Sequence, residues 1–163
     1  MVDIVNNTAL DLKAWQIPSA DELAEKGLNL LTHYASLVTE YAQQFKAFSN
    51  YIVADAYFSK RPFVEAVKST TLEFISRLRH DSVLKYKYTG ERTGKKGAPK
   101  KFAGLVDVYN FNPNQFSLDL STQEITIYSL VVYSRAFKMD IKLAIAIFYN
   151  DVKRNGKKII LFH

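Results

Sequence analysis

The chain has 163 residues, with 22 Lys and Arg against 16 Asp and Glu, a net charge of +6 and a pI near 9.4. A hydrophobic content of 48% excludes a mostly disordered chain, and the length suits one domain with a real core. Only six Gly and four Pro exclude collagen-like and linker-like readings, and the lack of Cys excludes disulfide frameworks, thiol catalysis and Cys-based zinc sites.

Val2 to Val5 is an apolar run fit for a strand, Asn6 and Asn7 form a turn signal, and residues 8–16 can continue a strand pair. Ser19 followed by Glu22 is a capping-box pattern, in which each side chain satisfies an orphan N–H of a helix start. Leu23, Gly27, Leu30, Leu31, Tyr34, Val38, Tyr41 and Phe45 then recur at helical spacing, which predicts one helix from about Ala20 to about Phe45. Tyr51 to Ala54 is a compact run of β-formers ending in Asp55. Ser59 is placed to cap a short helix through Phe63, Val64 and Val67, with Pro62 tolerated in its first turn. Leu72 to Leu78 reads as another strand. The alternation of strand and helix predicts α/β organisation with buried, parallel strands.

The second half changes character. Val83 to Thr89 alternates, with Lys85 and Lys87 on one side and Leu84, Tyr86 and Tyr88 on the other. Residues 90–101, with three Gly, one Pro and five basic residues, are the clearest loop. Strand-like runs follow at 104–109, 116–120, 124–134, 140–149 and 157–162. Turn signals stand at Asn112-Pro113-Asn114, Ser121-Thr122 and Asn155-Gly156, the last a two-residue hairpin pattern. This half reads as a helix-poor antiparallel sheet, so residues 1–82 and 83–163 divide into an α/β part and a β-rich part.

No uninterrupted apolar run approaches the roughly 18–20 residues of a membrane span. The start MVDIVNN lacks the basic and apolar regions of a secretion signal. The expectation is a soluble intracellular protein with no membrane partner.

The charge is concentrated. Residues 77–101 hold nine basic residues (Arg77, Arg79, Lys85, Lys87, Arg92, Lys95, Lys96, Lys100 and Lys101) against Asp81 and Glu91, a net of +7. The rest of the chain nets −1. Such a segment is either a phosphate-contacting surface or a solvated loop. Asp55 also has two readings. A carboxylate at the tip of a strand is placed where α/β sheets bind ligands and can help hold Mg²⁺, or it merely begins the next turn. His33, His80 and His163 show no metal-ligand spacing, and core packing or phosphate contact suits His33 and His80 better than catalysis. There is no G-x-S-x-G elbow and no glycine-rich phosphate loop leading into a helix. Tyr86 and Tyr88 could stack on bases, although their alternation suits packing in a half-buried strand.

The stretches YIVADAYFSKRPFVEAV, LEFISRLRHDSVLKYKYTG and GKKGAPKKFAG resemble the DDE transposases of insertion sequences, the IS4-like group. VDIVNNTALDLKAWQIP and IYSLVVYSRAFKMDIKLAIAIF fit the same family, so the resemblance spans nearly the whole chain. It implies a partial ribonuclease H-like core, strand-helix-strand-helix-strand, followed by a β-rich antiparallel insertion. It implies that Asp55 is the second of three acids holding two Mg²⁺ or Mn²⁺ ions for DNA cleavage and strand transfer. Asp55 should then stand at the carboxyl end of a central strand. The first acid is expected upstream of Met1 and the third on a helix beyond His163; Asp3, Glu65 and Glu73 lack their contexts. The expectation is therefore a fragment, inactive alone, that binds no metal itself. Its partners would be transposon-end and target DNA and a second subunit, in the bacterial cytoplasm at the nucleoid. The alternative is a non-catalytic DNA-binding or subunit-interaction module.

Overall fold

The computed structural model describes residues 2–3, 8–9, 14–91, 98–150 and 153–163. The chain is a mixed α/β structure dominated by one antiparallel sheet. Its strands are β1 (Val2–Asp3), β2 (Thr8–Ala9), β3 (Tyr51–Ala54), β4 (Glu73–Arg77), β5 (Leu84–Lys87), β6 (Phe102–Leu105), β7 (Ser117–Ser121), β8 (Ile125–Ser134), β9 (Met139–Asn150) and β10 (Lys153–Phe162). The helices are α1 (Ala20–Glu25), α2 (Leu30–Lys46) and α3 (Arg61–Lys68).

Eight strands form the main sheet in the order β3-β4-β10-β9-β8-β5-β6, with β7 paired to β8. Among the described residues only β3 and β4 run parallel, joined through α3. β1 does not enter this sheet but pairs with β2 in a separate two-stranded ribbon, so the expected alternation of buried parallel strands reduces to one β3-α3-β4 unit. β4 pairs antiparallel with β10, and β10 with β9, so hydrogen bonding is continuous from the first half of the chain into the second.

Side-chain alternation explains which face is covered. Phe74 and Ser76 of β4, Ile160 and Phe162 of β10, Ile141, Leu143 and Ile145 of β9 and Val132 of β8 are buried. They join Leu31, Ala35 and Ala42 of α2 and Phe63, Val64 and Val67 of α3 in one core, apart from the buried hydroxyl of Ser76. Each fully buried aliphatic side chain contributes about 1.5–3 kcal/mol. A run of edge-to-face and tilted rings, Phe58–Phe63–Phe74–Phe162–Phe137, crosses the core with centroids 4.8 to 5.7 Å apart. The alternate residues Tyr51, Val53, Arg77, Val131, Lys142 and Phe148 are exposed on the opposite face.

The single helix expected over 20–45 is two. Ser19 and Glu22 form the anticipated capping box on α1, but Gly27 turns left-handed at φ +66° and ends it. Asn29 and Thr32 then form a second reciprocal box that starts α2. Helical periodicity runs through Gly27 because a short break preserved the apolar face. The hairpin expected at Asn155-Gly156 is also displaced. Those residues lie inside β10, where the register shifts between Lys153 and Lys157, and Lys153 pairs with Asn150. A register shift satisfies the same glycine signal as a turn. The other two turn signals hold: Asn112 caps a 3-10 turn at Pro113–Gln115, and the Thr122 hydroxyl accepts N–H bonds from Glu124 and Ile125. The Asn6-Asn7 turn lies outside the described residues.

Candidate functional site: the carboxyl ends of β3 and β4

Ala54 pairs with Ser76, so Asp55 and Arg77 are the next residues along two parallel strands. Asp55 leaves the sheet in an Asx turn, its Oδ1 accepting the Tyr57 N–H at 2.9 Å. Its carbonyl accepts the Phe58 N–H at 3.2 Å. Both proposed readings of Asp55 therefore share one geometry: it begins a turn and stands at a strand tip. The strand, however, is not central. β3 is the edge of the sheet among the described residues, because β4 alone pairs with it. Tyr51 and Val53 are correspondingly 53% and 73% exposed.

A cleft of about 410 Å³ opens beyond these strand ends. Ala56 and Tyr57 wall one side, and Arg77, Leu78, Arg79 and His80 another, with Tyr109 and Ile160 completing it. Arg77 is exposed and makes no ion pair with any described residue. Arg79 bonds Asp81 through Nε at 3.1 Å and through Nη2 at 3.3 Å. That hydrogen bond, aided by the charge itself, holds the Asp81 carboxyl below its ordinary range and raises Arg79 further. Tyr57 stacks edge-on to Phe58, and the Lys60 ammonium lies 4.3 Å from the Tyr57 ring centre.

Beneath the cleft, two buried hydroxyls join the strand ends. Ser59 is 4% and Ser76 1% exposed, and their oxygens are 2.8 Å apart. Ser76 donates to the Asp55 carbonyl at 2.9 Å, and Ser59 to the Arg77 carbonyl at 2.8 Å. Ser59 thus does not cap α3. Lys60 is the N-cap residue and offers no side-chain bond, while the hydroxyl of Ser59 serves the sheet instead.

The basic segment divides. Arg77 and Arg79 reach the cleft. Lys85, Lys87, Lys100 and Lys101 belong to the β5–β6 hairpin at the opposite edge of the sheet. Lys85 lies over Phe102 at 4.9 Å, Lys100 over Tyr88 at 5.0 Å, and Lys87 pairs with Asp140. The Tyr88 N–H donates to the Lys101 carbonyl, closing the hairpin base. Arg92, Lys95 and Lys96 lie outside the described residues. Tyr86 is half-buried against the core, and burial raises its phenol above the ordinary value. His80 lines the cleft, whereas His33 sits by Tyr34 in α2 and His163 pairs with Glu73. Glu65 pairs with Arg61. The cleft residues missed by sequence reasoning are Tyr57 and Tyr109, which carry no motif signal.

No group of three His, Cys, Asp or Glu among the described residues is placed to hold a metal ion. No helix among them is long and apolar enough to cross a membrane. No family model, curated protein or solved structure matches the chain.

Proposed function

We propose that the chain is part of an IS4-like DDE transposase and contributes one carboxylate and a phosphate-binding surface to metal-dependent DNA cleavage and strand transfer. The observation that carries this reading is the placement of Asp55 and Arg77 one residue beyond the last β3–β4 pair, Ala54 with Ser76, beside a cleft walled by Arg77, Arg79 and His80. The β3-α3-β4 unit is the portion of a ribonuclease H-like core that these residues would supply. Asp55 would be the second of its three acids. One carboxylate does not hold two Mg²⁺ or Mn²⁺ ions, which need several charged ligands between them, so the described residues do not fit the metal pair by themselves. The chain's own share is electrostatic. Arg77 offers a guanidinium, exposed and unpaired among the described residues, whose planar donors match a phosphodiester, and an Asx turn to the Tyr57 N–H fixes the Asp55 carboxylate at the tip of the neighbouring strand. Such a protein works on DNA in a bacterial cytoplasm, at the nucleoid.

Duplex binding measured by fluorescence anisotropy across a salt series tests this reading. Each phosphate neutralised adds about 0.9 to the slope of log K against log salt. Arg77→Gln should weaken binding on every sequence and lower that slope by about 1. A flat salt dependence, or a variant indistinguishable from the parent, overturns the cleft as a phosphate site. The isolated chain should not nick DNA in Mg²⁺ or Mn²⁺, and robust nicking lost in Asp55→Asn would overturn that part.

The second reading, a non-catalytic DNA-binding or subunit-interaction module, rests on the β5–β6 hairpin. Its lysines are arrayed over Phe102 and Tyr88, a cationic and aromatic surface at the edge opposite Asp55. Under this reading, replacing Lys85, Lys100 and Lys101 abolishes binding while Arg77→Gln leaves it intact. Light scattering separates a monomer from a homodimer.

A further inference from the structure

The hydroxyl pair under the cleft has too few protons for its contacts. Ser59 and Ser76 each carry one hydroxyl hydrogen. Three oxygen contacts at 2.8 to 2.9 Å need one each: Ser76 to the Asp55 carbonyl, Ser59 to the Arg77 carbonyl, and Ser59 to Ser76. Two of the three are therefore hydrogen-bonded at any moment. With both protons on carbonyls, the hydroxyl oxygens face each other unbridged. If one proton turns inward, it releases the carbonyl of either Asp55 or Arg77. Buried polar contacts of this kind are costly to leave unmade, so the pair draws both backbones toward it and holds them at one separation.

We propose that Ser59 and Ser76 are positioning residues that set the spacing of the Asp55 and Arg77 backbones, and through it the placement of both charged residues beside the cleft. The inference rests on the reading of that cleft as a phosphate site. It divides the work: Ser76, reaching across from β4, places the Asp55 turn, and Ser59, reaching from the turn, places Arg77. Neither side chain meets the ligand.

The test compares Ser76→Thr with Ser76→Val in the full chain. These side chains have nearly the same shape, so any crowding at a site 1% exposed is common to both, and only the hydroxyl differs. Affinity for a short duplex is read by anisotropy, and the Tyr57 amide resonance reports the Asx turn. The expected result is affinity about tenfold weaker in Val than in Thr, the scale of one lost buried hydrogen bond, with the Tyr57 amide displaced in Val alone. If both substitutions unfold the chain, Ser59→Ala is read the same way, and should weaken DNA binding without moving the Tyr57 amide. Equal affinities in Thr and Val, or in Ser59→Ala and the parent, overturn the proposal. If Arg77→Gln still costs affinity in that case, the phosphate site stands without its hydroxyl support. If Arg77→Gln also has no effect, the reading of the cleft has failed first.

Discussion

Phe162 tests whether the sheet binds the two halves of the chain into one folding unit. Its ring is 2% exposed, 4.9 Å from Phe137 and 5.7 Å from Phe74 by ring centres. It sits on β10, between β4 of the first half and β9 of the second. Phe162→Ala removes the central ring of that stack, and a Phe→Ala change in such a core costs about 3–5 kcal/mol. With a urea slope of about 2 kcal/mol/M, the midpoint should fall by roughly 1.5–2.5 M. Two probes watch different ends of the molecule. Trp15, the sole tryptophan, packs on Tyr41 and Phe45 of α2, whereas the amide resonances of Val132 and Leu143 report β8 and β9. The fluorescence and amide-resonance midpoints should coincide in the parent and fall together in the variant. A resonance midpoint that falls while Trp15 fluorescence stays put would refute the continuity argued from the β4–β10 pairing.

Two backbone positions and one pH effect give further checks. Gly27, at φ +66° with open space around it, should lose about 1 kcal/mol on substitution by Ala, because the penalty is conformational and not steric. Lys138 holds φ 56° between β8 and β9, so Lys138→Gly should raise the urea midpoint or leave it level, and a marked fall would contradict the strain assigned there. The Ser19 backbone N–H, and then its hydroxyl, hold the Glu22 carboxyl below its ordinary value. A lowered folded value means that this cap stabilises fully above the unfolded carboxyl value of about 4.3 and is lost as pH falls through the folded one. The protection of the α1 amides, taken relative to the intrinsic exchange rate at each pH, should fall across that acid window in the parent, and in Glu22→Gln it should show no such step.

Local chemistry was legible in the sequence wherever one residue decides one conformation. The Ser19-Glu22 box, β3 over 51–54, the Thr122 turn and the long β8 and β9 strands stand where their residues placed them. What was not legible depends on pairing between distant segments. Nothing in Tyr51 to Ala54 says that β3 is an edge strand; that follows from β10 taking the other side of β4. The strand pair read from Val2 to Val5 and residues 8–16 is present as β1 and β2, but nothing in those residues says that the pair stays out of the main sheet. Gly27 and Asn29 did carry the helix break, a glycine followed by an Asn-x-x-Thr box, but an unbroken apolar face masked it. At the strand tips and the cleft beside them, Asp55 and the arginines were visible as charge. The serines beneath them were not, because a buried hydroxyl is identified by its partners 17 and 18 residues away.

Amide chemical-shift mapping with a short DNA duplex tests the proposed phosphate site most directly. The expected result is perturbation at Ala56, Tyr57 and Arg77 through His80, shrinking as salt is added and absent in Arg77→Gln. Shifts confined to the β5–β6 hairpin, with that cleft silent, would contradict it.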